Sequence, residues 1–233
     1  MSFLTHFATG ARLAPHHAAA IAEYRSLASP AGDAPLAATR LVIVDVETSG
    51  LDPHSDRLIS IGAVALYAGL VRFDDSFRVV LRQPRASARQ NIVVHGIDGT
   101  TQLAGTHPAE ALVEWLGFSR HAPLVGFHAD FDRIMLTRAL RGALGMEAPN
   151  RWLDIAMLLP ALFPARRAVT LDEWTALFAI QNHARHDALA DALATAQLFQ
   201  VVLAEAARQG IHTLGVLGQL EKDHRWLVQS LRR

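Results

Sequence analysis

The segment "LVIVDVETSGLDP" at positions 41–53 constrains the fold more than any other stretch of this chain. It opens on Leu, Val, Ile and Val, the pattern of a strand buried on both faces, and yet Asp45 and Glu47 close the run. Side chains alternate across a strand, so Asp45 and Glu47 share one face while Val44 and Val46 share the other. Two carboxylates a few ångströms apart repel, and burial adds to that cost. The nearest arginines in sequence, Arg40 and Arg57, lie outside the strand end. A divalent cation held by oxygen ligands relieves the repulsion. Two strand-end carboxylates simply facing solvent is the commoner arrangement, so a cation site requires more acids to converge on this one.

Two later segments supply them. In "VGFHADFD" a short apolar run ends just before Asp132, which falls in the first turn of the helix expected to follow. In "HARHDALADALATAQLF" His186 and Asp191 stand at the start of a long helical pattern. Five residues along one helix turn through about 140°, so the two cannot share a face within it. His186 is therefore expected in the loop before the helix, with Asp187 as N-cap and Asp191 one turn inside, facing the sheet. His183 is a competing histidine for the same role, since it stands at helical spacing from Asp187.

The rest of the chain fits a layered α/β fold. Residues 1–39 read as a helical extension ("PHHAAAIAEYRSLA") followed by a Pro/Gly/Ala linker. After the first strand come two more, 57–70 and 71–82, reversing near Ala68 to Leu70 as an antiparallel hairpin. The segment "QPRASARQNIVVHGIDGT" reads as a loop. A helix from Pro108 to Phe118, a strand over 122–127 and a helix ending at the glycines of 142–145 follow. Further helices are expected over 152–162, 170–179, Asp187–Gln209 and 214–231. The third-last of these opens on Thr170 and Glu173 at capping-box spacing. The expected architecture is a mixed central sheet flanked by helices, with the domain proper at 40–205 and a helical tail at 206–233.

Composition narrows the partners. The chain has 233 residues, 22 basic and 22 acidic, and no cysteine. Zero net charge argues against a protein held on nucleic acid by global charge alone. Disulfides and thiolate metal sites are excluded. No apolar run approaches the roughly 18–20 residues needed to span a bilayer, and the N-terminus lacks a basic start followed by a long apolar stretch. A cytoplasmic location without a membrane partner is the expectation.

Taken together and in this order, "VDVETSGL", "VGFHADFD" and "HDALADA" resemble the three motifs of the DEDDh 3′–5′ exonucleases, a ribonuclease H-like family that includes the proofreading epsilon subunit of bacterial DNA polymerase III. "VHGI" at 94–97 resembles a fourth element that helps hold the 3′-terminal nucleotide. The resemblance covers about residues 40–205. It implies a ribonuclease H-like three-layer fold, with Asp45, Glu47, Asp132 and Asp191 as ligands of two Mg²⁺ or Mn²⁺ ions and His186 as general base. It further implies that Thr48, Ser49, Leu51 and His95 contact the terminal nucleotide. The related tyrosine-bearing branch would carry Tyr where this chain has Asp187. His128 stands where the family often has Asn, and Phe127 where it often has His. The implied activity is 3′–5′ hydrolysis of single-stranded DNA ends to 5′-mononucleotides, with RNA trimming as the alternative substrate class. A non-catalytic nucleic-acid-binding module is the alternative of another kind, although all five catalytic positions are filled. The extension before the first motif and the short helical tail differ from the replicative epsilon subunit. That points to a stand-alone enzyme, or one in loose association with a DNA polymerase.

Overall fold

The computed structural model describes residues 13–182 and 184–231. Its centre is a sheet of five strands, β1 (Leu41–Thr48), β2 (Leu58–Tyr67), β3 (Leu70–Val80), β4 (Leu124–Gly126) and β5 (Trp152–Asp154). They lie in the spatial order β3-β2-β1-β4-β5. β1, β2 and β3 form an antiparallel meander, whereas β4 and β5 run parallel to β1. This is the mixed sheet that the sequence led us to expect. The reversal between β2 and β3 puts Ala68 and Gly69 at φ of 51° and 73°. Two consecutive positive φ values give the turn the twist that tight hairpins need.

The helices are α1 (Pro15–Ser26), α2 (Arg89–His95), α3 (Gly99–Ala104), α4 (Pro108–Ser119), α5 (Asp130–Leu144), α6 (Ile155–Leu162), α7 (Leu171–Leu177), α8 (Ala188–Arg208) and α9 (Leu214–Leu231). They cover both faces of the sheet. On one side Val42, Val44 and Val46 pack with Leu112, Trp115, Met135 and Leu140 from α4 and α5. On the other, Leu41 and Ile43 pack with Leu158, Trp174, Phe199 and Val202 from α6, α7 and α8. The alternation of β1 is thus used in full, and its acids fall on the α8 side. β2 is buried at every position but Tyr67, as a strand covered on both faces should be. Helix α8 is long and apolar enough to cross a bilayer by length and composition, which corrects the expectation that no stretch approaches such a length. Here its apolar residues Ala192, Ala196, Phe199 and Val202 are buried in the protein core.

Several expectations need correction. Residues 152–154 are strand, not the start of a helix: they pair with β4, and Asp154 then caps α6 by accepting from Ala156 N at 3.0 Å. Three residues carry no readable periodicity, so only the distant pairing partner decides the matter. The expected loop after β3 contains α2 and the start of α3, the latter capped by Asp98, which accepts from Thr101 N at 2.8 Å. The described part of the N-terminal extension is packed into the domain: Ile21 and Tyr24 are core residues, and Tyr24 Oη donates to Asn150 at 2.7 Å. The linker is also tied down, by backbone bonds from Leu36 N to His212 O (2.9 Å) and from Leu214 N to Ala34 O (3.1 Å). Residues 1–12 of the extension lie outside the described residues.

Candidate active site

Asp45 and Glu47 reach the site from the end of β1, and Asp191 reaches it from the first turn of α8. One carboxylate oxygen from each lies within 4.8 Å of the other two. Asp132, buried in the first turn of α5, is the strongest charged neighbour of Asp45. A register shift between Glu47 and Thr48 breaks the ladder to β2 at this point, the kind of irregularity that re-aims side chains beside a site.

Burial, together with the charges of Asp132, Glu47 and Asp191, holds the Asp45 carboxyl well above the usual carboxylate range. Burial, with the neighbouring acids Asp191 and Asp187, pushes Glu47 up to about 8. Burial likewise pushes Asp132 up to about 8, against the backbone amides of Asp132 and Val46. Acids packed this closely, with oxygen donors converging, fit divalent cations, which supply the missing positive charge through oxygen ligation.

The loop before α8 completes the site. Asp187 caps the helix, accepting from Leu189 N and Ala190 N at 3.1 Å each, and Arg78 of β3 pairs with it at 2.6 Å. Asp191 accepts from the backbone N of His186 at 2.9 Å, from Arg185 at 2.8 Å and from Asn182. Arg185 also pairs with Asp172 of α7 at 2.8 Å, so the loop is stitched to two helices. His186 sits at φ 64° and His128, across the cleft, at φ 57°. Left-handed backbone at two non-glycine positions is uncommon and clusters at functional sites. The cleft is about 310 Å³, lined among others by Asp45, Glu47, His128, His186 and Asp191. A second cavity of about 490 Å³ adjoins it, with Arg185 and His186 as the shared wall and Arg78, His95 and Ile97 opposite. His186 therefore stands in the loop, as its spacing from Asp191 requires. His183 lies outside the described residues.

The four residues assigned to the terminal nucleotide are placed differently from one another. Thr48 Oγ donates to Gly50 O at 2.6 Å. Ser49 Oγ donates to Asp56 at 2.8 Å and accepts from Arg57 N, so these two hydroxyls organise the turn. Leu51 projects from it, 91% exposed. Neither cavity is lined by these three. His95 lines the larger cavity but is buried, with Nδ1 accepting from Ile97 N at 3.1 Å and Nε2 at 3.3 Å from Ser87 Oγ. Burial lowers its basicity, and only the carbon edges of the ring are free to meet a ligand.

Two residues that the sequence reading passed over prove to position the site. Gly62 of β2 pairs with Asp45, and a Cβ there would lie 2.2 Å from the backbone of Ala188 and Leu189. Glycine is what lets the first turn of α8 rest on the sheet and bring Asp191 to Asp45. A glycine inside a strand is the available signal for such close approach. Gly62→Ala is expected to lower turnover roughly 10²-fold, the cost of an ångström-scale displacement of catalytic groups. Steady-state rates alongside a Mn²⁺ titration check this; unchanged values for both contradict it. Arg225, on α9, reaches Asp130 at 2.8 Å, Glu221 at 2.9 Å and Asp154 at 3.2 Å. The other oxygen of Asp154 accepts from His128 N at 3.0 Å, so α9 braces the loop that leads to Asp132. Nothing in a single sequence links positions so far apart. Arg225→Ala is expected to cost roughly 1–3 kcal/mol of stability, the range for a charged hydrogen bond lost from a buried carboxylate. Denaturant unfolding measures it, and a change below a few tenths of a kcal/mol would show the brace to be idle.

A mixed five-stranded sheet covered by helices, with acids gathered at the end of its first strand, defines a layered α/β fold whose carboxylate cluster could hold divalent cations. An exonuclease family model matches residues 42–199, and the chain belongs to that exonuclease family. Exonucleases of this kind depend on divalent metal. The DNA polymerase III PolC-type protein of Thermotoga maritima is 28% identical over 180 residues, covering 77% of this chain and 13% of that protein. A DNA polymerase III subunit epsilon-like protein of Rhodobacter capsulatus is 32% identical over 208 residues, covering 87% of this chain and 29% of that one. The chain thus spans under a third of either relative's length. Among solved structures, E. coli exonuclease I in complex with a dT13 oligonucleotide shares the fold at a TM-score of 0.61 and 18% identity, covering 73% of this chain and 42% of that one.

Proposed function

We propose that this protein is a 3′–5′ exonuclease that removes 5′-mononucleotides from single-stranded DNA ends with two Mg²⁺ or Mn²⁺ ions. The observation that carries the proposal is the convergence of Asp45, Glu47 and Asp191 within 4.8 Å, with Asp132 beside them and His186 at the mouth of the same cleft. Asp45, Glu47, Asp132 and Asp191 hold the cations, which when bound stabilise the attacking and leaving oxygens of an in-line displacement. His186 takes the proton from the attacking water. The water oxygen bonds to phosphorus as the bond to the 3′-oxygen breaks, and the shortened strand leaves with a free 3′-hydroxyl. Leu51, exposed at the tip of its turn, meets the terminal base, and Thr48, Ser49 and His95 shape the surface against which the nucleotide rests.

DNA is favoured because the polymerase-named relatives and the oligonucleotide complex of exonuclease I are DNA proteins by name. The same relatives support loose association with a DNA polymerase. Matched DNA and RNA oligomers digested side by side with Mn²⁺ test the substrate. Faster loss of the DNA is expected, and preferential degradation of RNA reassigns the enzyme to RNA trimming.

A further inference from the structure

Helix α1 begins Pro15-His16-His17, and both histidines turn toward one carboxylate on α4. His16 Nε2 lies 2.9 Å and His17 Nε2 2.7 Å from Glu110 Oε1, with the ring centroids 4.1 Å apart. None of the three belongs to the carboxylate cluster at the end of β1. His16 makes a hydrogen bond to Glu110. His17 does not: its residue is 6% exposed, and its Nε2 is fully enclosed without a hydrogen-bond partner. The Glu110 oxygen lies 2.7 Å from that nitrogen, an ion-pair contact that does not meet hydrogen-bond geometry. A buried ring nitrogen left this way is costly. Ligand atoms around a metal ion have this relation, since each lone pair aims at the ion and not at the neighbouring ligand.

We propose that His16, His17 and Glu110 form a second metal site, separate from the catalytic acids, which takes a divalent transition metal of the Zn²⁺ type and clamps α1 to α4. One donor atom from each lies within 4.8 Å of the other two. Two imidazole nitrogens and one carboxylate suit Zn²⁺, whereas an all-oxygen set suits Mg²⁺ or Mn²⁺. Tetrahedral ligands bonded at about 2.0–2.1 Å stand about 3.3 Å apart, so binding spreads the present 2.7 and 2.9 Å contacts by several tenths of an ångström. The His16 and Glu110 side chains, 63% and 43% exposed, have room to make that movement. The metal binds the folded arrangement only, so it stabilises the attachment of α1, where Ile21 and Tyr24 enter the core.

Cobalt is the probe, added to the whole chain in excess Mg²⁺ so that the oxygen-ligand site is already filled. One equivalent of Co²⁺ is expected to give the visible absorption of a four-coordinate nitrogen-oxygen site, displaced by Zn²⁺. His16→Ala and Glu110→Gln are each expected to weaken it by at least the 10–100-fold that loss of a mere outer-shell partner costs. Asp45→Asn is expected to leave it intact, and His16→Ala to keep full Mg²⁺-supported nuclease activity. Absence of the band in wild type, its persistence in both site variants, or its loss in Asp45→Asn overturns the proposal. His16 is exposed, so its variant folds, and a failure here leaves the reading of the carboxylate site untouched.

Discussion

Asp45→Asn is expected to abolish measurable cleavage, by roughly 10³-fold or more, while raising the melting temperature of the metal-free protein near pH 8. The loss follows from removing a proposed ligand of cations whose charge stabilisation would be worth several kcal/mol in the transition state. The gain follows from the mutual repulsion of the carboxylates when no metal is bound. Asp45 is held well above the usual carboxylate range by burial and three neighbouring acids, so the ionised side chain opposes the fold. The sign of the pH dependence agrees. Glu47 rises from 4.5 to about 8 and Asp132 from 3.8 to about 8. Groups that bind protons more tightly when folded support the fold fully below their unfolded values, and that support is lost as the pH climbs toward 8. The metal-free protein should therefore melt at progressively lower temperature between about pH 4 and 8. Saturating Mn²⁺ should flatten the decline, because the ion binds only the folded state. Melts of wild type and variant across that window check both halves, and a lower melting temperature for metal-free Asp45→Asn at pH 8 contradicts the account.

His186→Ala is expected to lower turnover about 10²–10⁴-fold, the usual contribution of a positioned base, with metal affinity little changed. Its backbone N already holds Asp191 at 2.9 Å, and alanine keeps that bond while removing only the imidazole. The histidine, at a left-handed φ of 64°, lines the wall shared by the two cavities. Turnover measured beside a Mn²⁺ titration separates the two roles. A large loss of metal affinity with turnover preserved at saturation would make His186 a structural support of Asp191 instead.

The carboxylate site was legible because strand alternation is strict: once 41–48 is a strand, Asp45 and Glu47 must share a face. The position of His186 was legible for a similar reason, since helical rotation keeps it off the face of Asp191 unless it precedes the helix. Gly62 left a weaker trace, a glycine in the middle of an apolar strand whose partner helix lies more than a hundred residues away in the chain. Strand β5 and the Arg225 brace left none, because each exists only through contacts distant in sequence. How His95 faces the larger cavity left no trace in the sequence, because the partners of its two ring nitrogens, Ser87 and Ile97, are set by the fold of the α2 region.

The most direct measurement is digestion of a 5′-labelled single-stranded DNA oligomer with Mg²⁺ or Mn²⁺, resolved by length and repeated in excess chelator. The account predicts a ladder that shortens one nucleotide at a time from the 3′ end, release of 5′-mononucleotides, and no cleavage in chelator. Undiminished cleavage in chelator, or early release of the 5′ label as a mononucleotide, would contradict it.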